Sequence, residues 1–190
     1  MKTIVYLHGF ISAPQSRKAL VLGDYVRSRA PGLDYVVPKL EDRPARAIAQ
    51  VADACKAVPA EDLTLVGSSL GGFYATVMAE RLGCRAALLN PAVHPHRHFH
   101  RYLGPQKNLY TGEEFVLTEG HVEELRALDP GAITKPGRYR LFVETGDEVL
   151  DYREAVAFYA GAMQSVVQGG DHSLASFPGH VPGLVDWAGS

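Results

Sequence analysis

The chain is poor in the residues that staple or anchor a protein. Cysteine occurs only at Cys55 and Cys84; both sit in apolar surroundings and read as small core residues of a protein kept in a reducing compartment, not as a disulfide framework. No apolar run approaches the ~18 residues that argue for a membrane span, and Ile4-Val5-Tyr6-Leu7 is far shorter than the apolar region of a secretory signal. Blocks of like charge are missing too. The 19 Lys and Arg against 21 Asp and Glu give a formal charge of −2, which argues against a nucleic-acid footprint and a polybasic membrane patch. Repeats, low-complexity tracts and linkers are likewise not evident. What remains is a cytoplasmic protein acting on a small molecule, of a length (190 residues) that suits one domain over 1–190 with its own core. Its oligomeric state is left open.

What the sequence does contain is alternation. Nearly continuous apolar runs at Thr3–Leu7, Asp34–Val37, Leu63–Gly67, Ala86–Asn90, Tyr139–Thr145 and Gln164–Gln168 read as strands buried on both faces. Helix-period stretches lie between them. Ser12 is a cap for the first, with Gln15 in the reciprocal position and Pro14 in the opening turn. Ile48, Val51, Ala52 and Cys55 share one face of a second; Leu70, Phe73, Tyr74, Val77 and Met78 mark a third that ends at Gly83. A fourth is expected over Asp151–Ala160. The pattern predicts an α/β fold, a mostly parallel sheet with helices on both faces.

One connection breaks the rhythm. The stretch from His94 to Pro136 is far longer than the ~2–6 residues usual between strand and helix in a compact α/β unit. It reads as a small helical insertion lying over one end of the sheet as a lid. A helix at Glu119–Leu128 with Thr118 as its cap is expected inside it, whereas Thr111-Gly112-Glu113-Glu114 fits either a capping box or a turn into the strand-like Phe115-Val116-Leu117.

The chemistry centres on Gly67-Ser68-Ser69-Leu70-Gly71. This G-x-S-x-G pattern places a serine on a sharp strand-to-helix turn with its hydroxyl above the sheet. As a bare pattern it is weak, but it sits between an apolar strand and a helix, the context a nucleophile elbow requires. A serine needs a base, and the base an orienting carboxylate, which follow in the chain order Ser, acid, His. Asp147 comes directly after the strand at Tyr139–Thr145, with Glu148 and Asp151 as rivals. His172 comes directly after the last strand, while His180, enclosed by Pro178-Gly179 and Pro182, reads as a surface turn. An oxyanion hole needs two N–H donors. Leu70 supplies one, and the turn at His8-Gly9 aims that of Phe10, or alternatively Ile11, at the same point.

With these residues assembled, the chain resembles the α/β-hydrolase superfamily and, within it, the YqiA-like small esterases, through "YLHGF", "GSSLGG", "NPAV", "YTGEEFVL", "ETGDEVLDY" and "GGDHS". The resemblance implies an α/β-hydrolase fold truncated at the N-terminal hairpin, because the chain begins near the third strand of larger relatives. It also implies esterase or acyl-thioesterase activity, including on acyl-CoA, with a triad of Ser69, Asp147 and His172. Ile11 stands where family members often have a small or polar residue.

Other residues invite a role. His94, His96, His98 and His100 alternate as metal ligands on a strand would, but Pro95 disturbs a ladder and no further ligand is near, so no metal and no cofactor is expected. Arg97, Arg101 and Lys107 are candidates for coenzyme A phosphates, against the plainer reading of a solvated basic face. Tyr102, Tyr110, Phe115 and Leu117 are candidates for an acyl pocket. The expectation is a serine hydrolase of carboxylic esters or acyl thioesters. Amide or peptide hydrolysis by the same triad is the alternative within enzymes, and a non-catalytic binding protein on this fold is the alternative outside them.

Overall fold

The computed structural model describes all residues, Met1–Ser190. In chain order it forms β1 (Thr3–Leu7), α1 (Arg17–Arg29), β2 (Asp34–Val36), α2 (Pro44–Cys55), β3 (Leu63–Ser68), α3 (Leu70–Leu82) and β4 (Arg85–Leu89). There follow a hairpin of β5 (Gly104–Lys107) and β6 (Glu114–Leu117), then α4 (Glu119–Leu128), β7 (Tyr139–Glu144), α5 (Tyr152–Phe158), β8 (Met163–Val167) and α6 (Phe177–Gly189). The main sheet has the order β2-β1-β3-β4-β7-β8, and every pairing in it is parallel.

Parallel strands need crossover helices, and these cover both faces. Along the strands the side chains alternate between two cores. Val5, Leu7, Leu65, Leu88, Leu141 and Val143 pack under α2, α3, α4 and α5, while Ile4, Tyr6, Val66, Leu89 and Phe142 pack under α1 and α6. Cys55 and Cys84 are buried and unbonded. No helix is long and apolar enough to cross a membrane.

The strand positions hold to within a residue or two, but β2 and β8, at the two edges of the sheet, are partly exposed and not buried on both faces, and the helices diverge where tertiary contacts intervene. The first helix starts after Ser16, not Ser12. Residues 10–16 are held off the helical path: Ile11 has φ 47°, and the Ser12 carbonyl accepts from Asn108 Nδ2 at 2.8 Å. Asp151 is a cap and not a helical residue, its Oδ1 accepting from the N–H of Arg153 at 3.0 Å. His180 is not on a surface turn but within α6, its ring 5.0 Å from that of Phe142. Pro178 is harmless in the first turn, whose N–H groups have no helical acceptor. Pro182 lies inside the helix, which is held down by the buried Phe177, Val181, Leu184, Val185 and Ala188. The region 94–136 holds a β-hairpin as well as helix: Leu109-Tyr110-Thr111 is the turn, closed by Asn108 N–H to the Glu113 carbonyl at 2.8 Å, and Gly112-Glu113 lead from it into β6.

Candidate active site

β3 delivers the chain to Ser69 in a conformation few residues adopt, φ 54° and ψ −121°, at a cost of order 1–3 kcal/mol. Its own peptide groups offset this. Its N–H donates to the Leu89 carbonyl at 3.1 Å, and its carbonyl accepts from Gly72 at 2.9 Å and Ala92 at 3.0 Å. The flanking glycines are steric necessities: a Cβ on Gly67 would lie 2.2 Å from the Gly71 oxygen, and one on Gly71 2.1 Å from the Leu7 oxygen. The turn thus lifts Ser69 above the sheet at the carboxyl ends of β1 and β4.

Asp147 and His172, on the loops after β7 and β8, come to the same place. His172 Nε2 is 3.1 Å from Ser69 Oγ, and Nδ1 is 2.8 Å from Asp147 Oδ2 and 3.0 Å from Oδ1. The Asp147 side chain is 2% exposed, and its Oδ1 also accepts the N–H groups of Val149 and Leu150, each at 2.9 Å. Burial pushes its pKa up, but the hydrogen bonds from His172 and these two amides outweigh burial and hold it below the ordinary value. A carboxylate facing Nδ1 demands the Nδ1–H tautomer, which leaves the Nε2 lone pair for the serine proton. Of the rivals, Glu148 accepts the His172 N–H through Oε2 at 3.0 Å, and Asp151 caps α5.

Two residues that sequence reasoning did not single out fix the His172 loop. Glu144, 1% exposed, accepts from the backbone N–H of Asp171 at 2.8 Å and Ala175 at 3.2 Å through Oε2, and of Ser176 at 2.7 Å through Oε1. Its burial is outweighed by these donors, and its pKa lies below the ordinary 4.5. Asn90 donates Nδ2 to the carbonyls of Asp171 at 3.1 Å and His172 at 3.3 Å while its Oδ1 accepts the Glu144 N–H at 3.1 Å. Lys18 adds a bond to the Ser173 carbonyl at 2.8 Å. The available signal was a polar residue closing each of two neighbouring apolar strands, "AALLN" and "RLFVE".

The loop after β1 is fixed by His8. Nε2 of this buried ring accepts the Leu40 N–H at 3.1 Å, so Nδ1 carries the proton and donates to the Gly9 carbonyl at 3.1 Å. Burial lowers its pKa, only partly countered by the Gly9 bond. Because the peptide is planar and trans, holding the Gly9 carbonyl to one side sends the Phe10 N–H to the other. Gly9 itself lies against Ser69, since a Cβ there would be 3.3 Å from Ser69 Cβ. Ile11, a β-branched residue at positive φ, is held by Leu109, which donates to its carbonyl at 3.0 Å. Leu70 is the first residue of α3 and has no helical acceptor for its N–H.

Beside Gly9, Phe10 and Leu70 opens a cavity of about 310 Å³ roofed by Phe115 and Asn108 of the 94–136 region. Tyr102, Tyr110 and Leu117 do not line it. Tyr102 packs behind Phe10 and Phe99, with ring centroids 5.8 and 5.5 Å away; Tyr110 is 52% exposed, and Leu117 is buried in the core. The basic residues do not converge. Arg101 donates to the Val149 carbonyl at 3.2 Å, Arg97 lines a separate depression beside Glu154 and Phe158, and Lys107 lies 3.8 Å from Glu114. The histidines of the alternating tract pair with different carboxylates: His94 and His96 with Asp129, His98 with Glu154, His100 with Glu119.

The model of an uncharacterised protein family, UPF0227, matches residues 3–189. Among solved structures, mouse alpha/beta hydrolase domain-containing protein 10 superposes with a TM-score of 0.74 at 16% identity, over 97% of this chain and 90% of that one. The esterase domain of a Rhodothermus marinus protein gives 0.66 at 17% identity over 98% and 86%. Est1E of Butyrivibrio proteoclasticus, with ferulic acid bound, gives 0.65 at 13% identity over 99% and 86%. At such identities the likeness establishes the α/β-hydrolase fold and no more.

Proposed function

The chain belongs to the UPF0227 family and has the α/β-hydrolase fold, and from the geometry at Ser69 we propose that it is a serine hydrolase of carboxylic esters or acyl thioesters. The observation that carries the reading is the row Asp147 Oδ2, His172 Nδ1, His172 Nε2, Ser69 Oγ, spanned by contacts of 2.8 and 3.1 Å.

In this reading His172 Nε2 takes the Ser69 proton as Oγ bonds to the substrate carbonyl carbon. The N–H groups of Phe10 and Leu70 receive the oxyanion, and Asp147 holds the imidazole and steadies its positive charge. The same proton passes to the departing alcohol or thiol as its bond to the carbonyl carbon breaks, leaving an acyl-serine. Water, deprotonated by His172, then releases the carboxylic acid and restores Ser69. Every proton is carried by residues of this chain, so the cycle needs no added cofactor.

The test is covalent labelling. A fluorophosphonate is expected to add once per chain at Ser69, not at all in Ser69→Ala and only slowly in His172→Ala, and an aryl ester is expected to give a burst of phenolate before steady turnover. Labelling elsewhere, or parental turnover in Ser69→Ala, would falsify the reading.

A further inference from the structure

The loop after β1, which carries the Phe10 N–H, bends through a conformation that its own residues do not favour. Ile11 has φ 47°, and a β-branched residue at positive φ is an outlier, because its Cβ crowds the backbone there. Such a conformation persists only where its surroundings hold it. Here the holding groups come from the β5–β6 hairpin, remote in the chain.

The hairpin grips successive residues of the loop. The Phe115 ring meets the Phe10 ring edge-on, with centroids 6.0 Å apart and planes at 89°. The Leu109 N–H donates to the Ile11 carbonyl at 3.0 Å, and Asn108 Nδ2 donates to the Ser12 carbonyl at 2.8 Å. The remaining atoms of Asn108 fix it for that contact. Its Oδ1 accepts the N–H groups of Tyr110 at 2.9 Å and Thr111 at 3.0 Å, which turns the amide so that its NH2 faces Ser12. Its backbone N–H and carbonyl close the turn with Glu113 at 2.8 Å and Gly112 at 3.0 Å. On the other flank His8 holds the Gly9 carbonyl, so the loop is held on both sides of the Phe10 N–H.

We propose that Asn108 is a positioning residue for the oxyanion hole: docked on Ile11 and Ser12, its turn keeps the strained loop in the shape that aims the Phe10 N–H at the substrate oxygen. The inference rests on the serine-hydrolase reading above and adds to it a residue that acts through that N–H. Released from the turn, Ile11 would relax toward negative φ. The loop is anchored at both ends, by β1 and α1, so the rotation has to be taken up by neighbouring peptides, that of Gly9 and Phe10 among them. The 94–136 region is then a brace of the reacting centre as well as a roof over the cavity.

Asn108→Asp separates this role from a merely structural one. The carboxylate still accepts the Tyr110 and Thr111 N–H groups and keeps the turn, but it has no donor for the Ser12 carbonyl and repels it. Turnover of a p-nitrophenyl ester is expected to fall about ten- to a hundredfold in kcat with KM nearly unchanged, short of the full ~10²–10³ that removing an oxyanion donor costs. Binding of an alkyl trifluoromethyl ketone, whose adduct with Ser69 places an O⁻ in the hole, should weaken by the same factor. Adding Ile11→Gly, which adopts positive φ without strain, should restore part of the lost kcat, as it could not if the new charge alone slowed the reaction. Leu109→Pro should act in the same direction without adding charge, because proline suits the first inner position of a turn and removes the N–H that holds the Ile11 carbonyl; it decides the question if Asn108→Asp does not fold. Parental kcat and ketone affinity in the folded variants, a loss confined to KM, or no recovery on adding Ile11→Gly overturns the assignment while phosphonate labelling of Ser69 in the parent still stands. Absence of that labelling overturns the hydrolase reading and the oxyanion hole with it.

Discussion

Replacing Glu144 by glutamine is the most informative single change, because it keeps the shape of the side chain and alters only what it can accept. In the parent, three backbone N–H groups converge on two carboxylate oxygens at 2.7, 2.8 and 3.2 Å. An amide has one oxygen. Whichever way it is turned, its NH2 must face at least one of these N–H donors, which loses a charge-assisted bond and strands a buried N–H. A hydrogen bond to a charged group contributes about 1.5–3 kcal/mol and a stranded donor costs about 1–3 kcal/mol; these overlap, so we expect a loss of about 2–4 kcal/mol. For a chain of this size that is a fall in Tm of roughly 4–16 °C. The loop that loosens carries His172, and a displacement of ~1 Å at a catalytic group can cost ~100-fold in rate. Glu144→Gln should therefore lose kcat more than KM, with Glu144→Asp less affected.

Acid supplies a second readout of the same group. The folded-state pKa of Glu144 lies below the ordinary 4.5, so its contribution is full above that value and disappears as pH falls through the folded one. The Tm gap between parent and Glu144→Gln should be widest near neutrality and close as the pH falls below the ordinary carboxylate value, in a calorimetric series with burst kinetics on an aryl ester at each pH where the protein is folded. A variant with parental Tm and kcat, or a gap that widens in acid, would refute the reasoning.

Asp147→Asn leaves the packing in place but allows the wrong imidazole tautomer to face Ser69; kcat should drop by about 10⁴ and phosphonate labelling slow in parallel. Equal labelling rates in variant and parent would count against it. His8→Phe removes the bonds that orient the Gly9–Phe10 peptide and satisfy Leu40, so kcat should fall by about tens- to hundreds-fold, short of the full ~10²–10³ range because the donor is misdirected and not removed; the check is a steady-state comparison in which KM changes little. Gly71→Ala puts a methyl 2.1 Å from the Leu7 oxygen, so β1 and α3 cannot both keep their places; soluble yield and circular dichroism should show failure to fold or a large loss of Tm, whereas Gly179→Ala, with open space around it, should not.

Much of the molecule follows from local pattern. Continuous apolar runs dictate the strands, and their alternation with helix-period stretches dictates a parallel sheet, because only long crossovers join parallel strands. Ser69, Asp147 and His172 could be picked out for the same reason: each directly follows a run that has to be a strand, and the carboxyl ends of parallel strands face one way. The glycines at 67 and 71 were legible as a tight crossing. What local pattern could not supply was anything set by distant atoms. Ser12 has the composition of a helix cap, yet Asn108, far along the chain, takes its carbonyl and the helix starts later. Pro178-Gly179 and Pro182 spell a turn, yet burial of Phe177, Val181 and Leu184 outweighs that local preference and makes a helix. Glu144 and Asn90 open the stretches "ETGDEVLDY" and "NPAV", yet nothing local gives either side chain a task; their roles exist only because folding brings the ends of β4 and β7 beneath the His172 loop. The sequence by itself determined the strands, their order of use and the three side chains that end up in a row, since those depend on periodicity and chain order. The tertiary structure alone decided which groups hold that row in place and which residues brace the loop beside it, since a hydrogen bond or a contact between residues far apart in the chain is a property of their positions in space.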